Sequence, residues 1–425
     1  MASRIKKEAD ICCLQLVFMM ICRVPVPLKL YVFCDIICFM KNVINKNMFK
    51  YVDWFLLILI FVLVGFSLLS ITNATASPFT GSESSLSDIF SNLNLDNTVS
   101  QFMFFLLGLG IIFVIILVDY NNLRHYIEYI YWICIALLVL VLAFGSTQNG
   151  TTGWFMIGSR GFQPSEFTKI GLILAFARIM AGQTEGNENG ITRFSQLWPL
   201  LWRFLIPFVL VAVQPDMGTA LVYVSIFICI LFMARTSLKM FGILAAMAGA
   251  AAPIAWFSMP DYMKTRIFTF LQPDYASTDQ AYHATQAKLA IGSGQLTGKG
   301  LFASGSMSQL GFIPERHNDF IFAVTTEAFG FIGAAIVITL YALLIIRTCM
   351  LAMRAKDDFG TYISIGVVAM ILFHVVENIG MNVGILPITG ISLPFFSYGG
   401  SNLLTCMIAY GFVLSVDMRR TRWSV

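Results

Sequence analysis

The sequence predicts an all-α polytopic membrane protein. About ten transmembrane helices, both termini cytoplasmic, and one large outer segment between helices 7 and 8 describe it. Three observations predict this. The 425 residues are 58% hydrophobic and 12% charged, against about 25% charged in a soluble domain. Ten apolar runs are long enough to cross a hydrocarbon core, which takes roughly 20 helical residues. Finally, Lys and Arg fall in alternate connecting segments, as the positive-inside bias requires. This composition excludes an ordinary soluble enzyme, a disordered chain and a nucleic-acid binder.

The runs cover about 54–71, 102–118, 129–144, 167–183, 199–213, 217–234, 241–259, 320–346, 360–380 and 401–417. Gly and Pro interrupt several of them, which membrane helices tolerate. The seventh, FGILAAMAGAAAPIAWFSM, is rich in Ala and Gly, a composition that lets helices approach closely. Arg124, Arg193, Arg235 with Lys239, Arg347 with Arg354 and Lys356, and Arg419, Arg420 and Arg422 follow the even-numbered runs. The first intervening outer segment, 72–101, has three acids and no Lys or Arg, and the last, 381–400, has no charge. The nine Cys have neither metal-ligand nor disulfide spacing.

Residues 11–40 are apolar but broken by Arg23, Pro25, Pro27, Lys29 and Asp35. They make a poor span and carry no small-residue signal cleavage site. Met48 opens a basic-then-apolar start, MFKYVDWFLLILI. Residues 1–47 are therefore expected to be an atypical N-terminal extension arising from an upstream start, with an interfacial segment as the alternative, and 48–425 the functional membrane domain.

The outer segment 260–319 holds five cations, Lys264, Arg266, Lys288, Lys299 and Arg316, where positive charge is normally scarce. It is either a solvated loop with surface ion pairs or a site for an anion such as phosphate. Further charged residues, in three motifs, gather at the same face. QPSEFTKI places Glu166 and Lys169 one helical turn apart, on one face, behind a Pro suited to a first turn. QPD places Asp216, and ND places Asp319, at the outer starts of the sixth and eighth runs. Helix capping with mutual ion pairing and a polar, outward-opening cavity both account for them. Glu327, His374 and Glu377 lie deeper, where a structural pairing at a helix interface is the simpler reading. IGSGQLTGKG lacks the spacing of a nucleotide-binding loop, and its outer position excludes an ATP site.

These motifs resemble the SEDS family (shape, elongation, division and sporulation) of membrane proteins. The resemblance runs from about Met48 to the C-terminus through QPSEFTKI, QPDMGTALV, YHATQAKLAIGSGQLTGKG, SQLGFIPERHNDFIFAV and NIGMNVGILPITGISLPFFSYGGS. It is nearer the RodA elongation branch than the FtsW division branch. It implies a multi-pass protein of the bacterial plasma membrane, a peptidoglycan glycosyltransferase that polymerises lipid II, the undecaprenyl-pyrophosphate disaccharide-pentapeptide. It also implies a class B penicillin-binding protein as partner. A lipid II flippase, and a catalytically weak scaffold for that partner, are the alternatives. No inverted repeat of the transporter kind is visible.

The resemblance also assigns roles. A carboxylate accepts the proton of the attacking sugar hydroxyl. Aligned without gaps, FLQPDYASTDQAYH puts Ala276 at the family's acidic position, so the base falls to Asp279 or Asp274. Asp279 is preferred because it is nearer the Tyr-His pair. A second departure is Gly153, where the family often has Arg before the Trp. Arg266, Lys288 and Arg316 are the candidate pyrophosphate ligands. Glu166, Lys169 and Asp216 shape the cavity; His317, Asp319 and Ser397 order its mouth. A divalent cation such as Mg²⁺ fits pyrophosphate chemistry; no organic cofactor is expected. N-terminal sequencing of the native protein should begin at Met48, and recovery of residues before it would overturn the upstream-start reading.

Overall fold

The computed structural model describes residues 51–76, 93–148, 151–158, 160–187, 190–271, 279–313 and 315–420. The expected extension 1–47 and Asp274 lie outside them. Each of the ten apolar runs sits on a long helix. In chain order the helices are α1 (Trp54–Thr75), α2 (Asp96–Leu117), the short α3 (Tyr120–Leu123), α4 (Ile127–Phe144), α5 (Pro164–Thr184), α6 (Phe194–Val213), α7 (Met217–Met233), α8 (Leu238–Ser258), α9 (Asp261–Leu271), α10 (Asp279–Ser293), α11 (Ile321–Met353), α12 (Asp358–Val383) and α13 (Gly400–Met418). Eight are long and apolar enough to cross a membrane. Of the other two expected spans, α7 is apolar but only 17 residues long. The other, α5, packs against α4, α6, α7, α12 and α13, and this central position lets it carry Glu166 and Lys169. By contrast, only 6% of the apolar stretch of α8 is buried.

Two features correct the sequence reading. The outer segment 260–319 is not one loop, because α9 and α10 form within it. The fold is also not purely helical. Between α4 and α5 the strands β1 (Ser146–Gln148), β2 (Thr151–Ile157) and β3 (Arg160–Phe162) form a small antiparallel sheet. Ser146 pairs with Trp154, and Phe155 with Phe162. TTGWFMI is rich in β-branched and aromatic residues, which suit strands, and Gly158 supplies the positive φ (66°) that ends β2.

Local chemistry sets the helix ends that matter. Asp53 caps α1 by accepting from Leu56 N at 2.9 Å, and Asp216 caps α7 by accepting from Thr219 N at 3.1 Å. Each satisfies a backbone donor that a helix start leaves orphaned. Helix α11 breaks at Gly330, where φ is 66°. Segment 294–300 lies against the break: Phe331 N donates to Gln295 O (2.8 Å) and Lys299 N to Glu327 O (3.0 Å). A Cβ at Gly330 would collide with the backbone of Gly298 and Leu296. Glu327 fastens the same region, accepting from Lys299 Nζ (2.8 Å), Met307 N (2.7 Å) and Ser308 N (3.0 Å). Its role is therefore structural, as expected.

One end of the bundle is stitched by ion pairs: Arg347 with Asp53 (2.5 Å), Arg419 with Asp119 (3.5 Å), Arg420 with Asp417 (2.5 Å) and Arg124 with Glu185 (3.8 Å). These cations belong to the segments that the charge bias assigns to the cytoplasm. The opposite end opens into a polar cavity.

Candidate functional site

The cavity has a volume of about 340 Å³. Segments far apart in sequence build its wall: Trp154 and Gly161 from the sheet, Gln163 and Glu166 from the start of α5, Asp216 before α7 and Arg266 on α9. Glu315, Asn318 and Asp319 before α11, His374 on α12, and the 389–402 segment complete it.

Pro164 opens α5 without wasting a backbone donor, which places Glu166 in the first turn and Lys169 directly behind it. Lys169 is fully buried. Its ammonium donates to Glu166 Oε1 at 2.7 Å and lies 2.9 Å from His374 Nε2. An ammonium has only donors, so His374 accepts through Nε2 and presents Nδ1–H to Ser392 O at 3.0 Å. The other Glu166 oxygen accepts from Asn402 Nδ2 at 3.3 Å. A continuous chain Asn402–Glu166–Lys169–His374–Ser392 thus ties α5, α12 and α13 together under the cavity.

Asp216 is held from three sides. Besides Thr219 N, it accepts from Gln163 Nε2 (3.0 Å) and Ser165 Oγ (3.3 Å). Burial pushes its carboxyl above the ordinary range. Asp319 is positioned through its backbone: its carbonyl accepts from Asn378 Nδ2 (2.9 Å) and Asn382 Nδ2 (3.0 Å). Burial first, then the neighbouring Glu315 charge, pushes its carboxyl up to about 7, with Arg266 opposing.

Of the residues expected from sequence, Glu166, Asp216, Arg266 and Asp319 line this cavity together. Lys169 lies just behind its wall. Lys288 lies in an adjoining cleft that it shares with Arg266, Thr285 and Gly384. Arg316, His317 and Ser397 are not in the cavity lining. Arg316 donates to Ser308 O, and burial lowers its pKa. His317 accepts from Tyr398 N at 2.9 Å through its carbonyl, and burial lowers the imidazole pKa. Ser397 donates to Asn318 O at 2.6 Å and accepts from Leu393 N at 2.8 Å. Arg316 and Ser397 therefore hold rim backbone through their side chains, and His317 does so through its carbonyl. The backbone of Asp279 opens α10; its carboxylate and all of Asp274 lie outside the described residues.

His374 lies at a helix interface as expected, but its partner is Lys169. His374 and Glu377 do not pair with each other: Glu377 accepts from Thr389 Oγ1 at 2.9 Å. The usable signal was a His and an acid one turn apart in an otherwise apolar run. Among the described residues, no group of three or more His, Cys, Asp or Glu side chains is disposed to hold a metal ion.

Comparison with known proteins identifies the family and the fold. The family model for FtsW, RodA and SpoVE, described as cell cycle protein, matches residues 53–422. The peptidoglycan glycosyltransferase MrdB of Escherichia coli K12 is 39% identical over 318 residues, spanning 74% of this chain and 84% of MrdB. A solved peptidoglycan synthase complex, in which polymerization and crosslinking are coordinated, contains a chain that superposes with a TM-score of 0.69 at 26% identity. That match covers 87% of this chain and 99% of the other. The rod shape determining protein RodA of Thermus thermophilus gives a TM-score of 0.62, also at 26% identity, covering 87% and 98% of the two chains.

The buried pair makes a specific prediction. Removing one partner of a buried ion pair typically costs about 3–5 kcal/mol, because the other charge stays buried and uncompensated. Lys169→Met should lower unfolding stability in detergent by about that amount, and the double variant Glu166→Gln/Lys169→Met should recover most of it. Equal stability of the single variant and wild type would contradict the pairing.

Proposed function

The chain belongs to the FtsW/RodA/SpoVE family of cell cycle proteins, and from that premise we propose that it is a peptidoglycan glycosyltransferase of the bacterial plasma membrane that polymerises lipid II. The observation that carries this reading is the position of the cavity. It collects acids and a cation from separate motifs at the end of a multi-pass bundle opposite the Arg-stitched ion pairs. By the positive-inside rule that end faces out and both termini face in, so the site meets lipid II after its transfer to the outer leaflet.

The division of labour follows from the chemistry. A polyprenyl tail needs an apolar surface, which the lipid-facing helices provide. The leaving pyrophosphate needs cations where negative charge develops, and the neighbouring Arg266 and Lys288 supply them. A divalent cation such as Mg²⁺ binds through one or two carboxylates plus phosphate oxygens; when bound it would add positive charge at the pyrophosphate, and no step is routed through it. The acceptor sugar must lose a hydroxyl proton to a carboxylate, for which the sequence motif puts forward Asp279 or Asp274. Single displacement inverts an α-linked donor to a β-linked product without a covalent enzyme intermediate. The similar solved complex coordinates polymerization with crosslinking, so we infer that a class B penicillin-binding protein works beside this chain.

Purified protein given labelled lipid II, alone and with its partner, should yield glycan polymer. Transfer of lipid between leaflets without polymer would favour a flippase, and neither product would leave a scaffold. Charge-assisted hydrogen bonds are worth about 1.5–3 kcal/mol each. Lys288→Gln should therefore raise the KM for lipid II by about 10- to 100-fold, and an unchanged KM would remove Lys288 from the pyrophosphate site.

A further inference from the structure

Four acids with described side chains line the cavity, and three have engaged carboxylates. Glu166 is held by Lys169 and Asn402. Asp216 is held by Gln163, Ser165 and Thr219 N. Glu315 accepts from Asn318 Nδ2 at 2.6 Å. Asp319 is built the other way round. Its main chain is clamped by Asn378 and Asn382 from α12, while its carboxylate receives no hydrogen bond from any described residue. Gly390 lies opposite: a Cβ there would stand 3.4 Å from Asp319 Oδ2, at ordinary van der Waals distance. A fixed backbone with open lone pairs facing a cavity suits a group that must take a proton from a ligand.

We propose that Asp319, in place of Asp279 or Asp274, is the carboxylate that accepts the proton of the acceptor sugar hydroxyl. This rests on the glycosyltransferase reading above. In the step, the hydroxyl oxygen bonds to the donor's anomeric carbon and its proton passes to an Asp319 oxygen. The anomeric C–O bond breaks, and its electron pair leaves on the undecaprenyl pyrophosphate. Asp319 then releases the proton to solvent.

The surroundings of Asp319 fit this task. Glu315 on its own segment, Asp216 before α7 and Glu166 on α5 put negative charge around the cavity; Arg266 on α9 opposes them, and His374 on α12 faces the same space. Burial and Glu315 bring the carboxyl to about 7, where a general base is efficient at neutral pH. The base works ionised, so turnover should rise with pH through a limb near that value.

The test is the pH profile of lipid II polymerisation by the full chain with its partner. General-base catalysis typically contributes 10²- to 10⁴-fold. Asp319→Asn should lose about that factor in kcat, lose the limb near neutrality, and still bind fluorescent lipid II. Should Asp319→Asn misfold, Glu315→Gln serves instead. Removing the charge that holds the Asp319 pKa up should move the limb to lower pH. Polymerising wild type alongside an Asp319→Asn enzyme within a few-fold of it in kcat, or an unmoved limb in Glu315→Gln, would overturn the role of Asp319 alone. Wild type that makes no glycan polymer would overturn the glycosyltransferase reading.

Discussion

The fold is organised around one electrostatic obligation: an ammonium and a carboxylate, Lys169 and Glu166, sit inside a helical bundle. Bringing such ions out of water costs several kcal/mol each, so the pair needs further hydrogen-bonding partners. That need dictates the neighbours. His374 must present an acceptor nitrogen on α12, Asn402 must present an amide on α13, and α5 must lie at the centre with partners on several sides. Replacing this arrangement with apolar packing would serve stability at least as well. Retaining charge here makes sense as a means of holding a polar hollow open at the membrane surface.

That hollow combines two kinds of electrostatics. Glu166 accepts from Lys169 and Asn402, and Asp216 from Gln163, Ser165 and Thr219 N. Arg266 belongs both to the cavity and to the cleft that holds Lys288, so positive charge is placed to one side of the acids. A substrate with an anionic linker and a neutral sugar is polarised in the matching sense, with its leaving group toward the cations and its reacting hydroxyl toward the acids. The broken helix α11 and the Glu327 hub pin the segment between α10 and α11. The wall carrying Glu315 and Asp319 thereby becomes a rigid part of the bundle.

Much of this was legible in the residues. Long apolar runs gave the helices, the Lys and Arg bias gave the orientation, and QPSEFTKI gave the buried pair from its i, i+3 spacing. The parts that escaped share a cause. β2 is only seven residues between two spans, too short for its alternation to stand out. Helices α9 and α10 mix charges with apolar residues at low overall hydropathy, so they read as loop. His374 gains its meaning from Lys169, 205 positions away, a proximity that no local pattern carries. Arg316 and Ser397 sit in recognisable motifs, yet only three-dimensional placement reveals that they brace backbone and do not face the cavity.

The central claim is that one cavity binds the pyrophosphate at its cationic side and the reacting sugar at its acidic side. A structure of the protein with an unreactive lipid II analogue tests this most directly. The account predicts phosphate oxygens within hydrogen-bonding reach of Arg266 and Lys288, and the acceptor hydroxyl about 3 Å from the Asp319 carboxylate. A disaccharide bound outside the cavity, with its pyrophosphate remote from both cations, would contradict it.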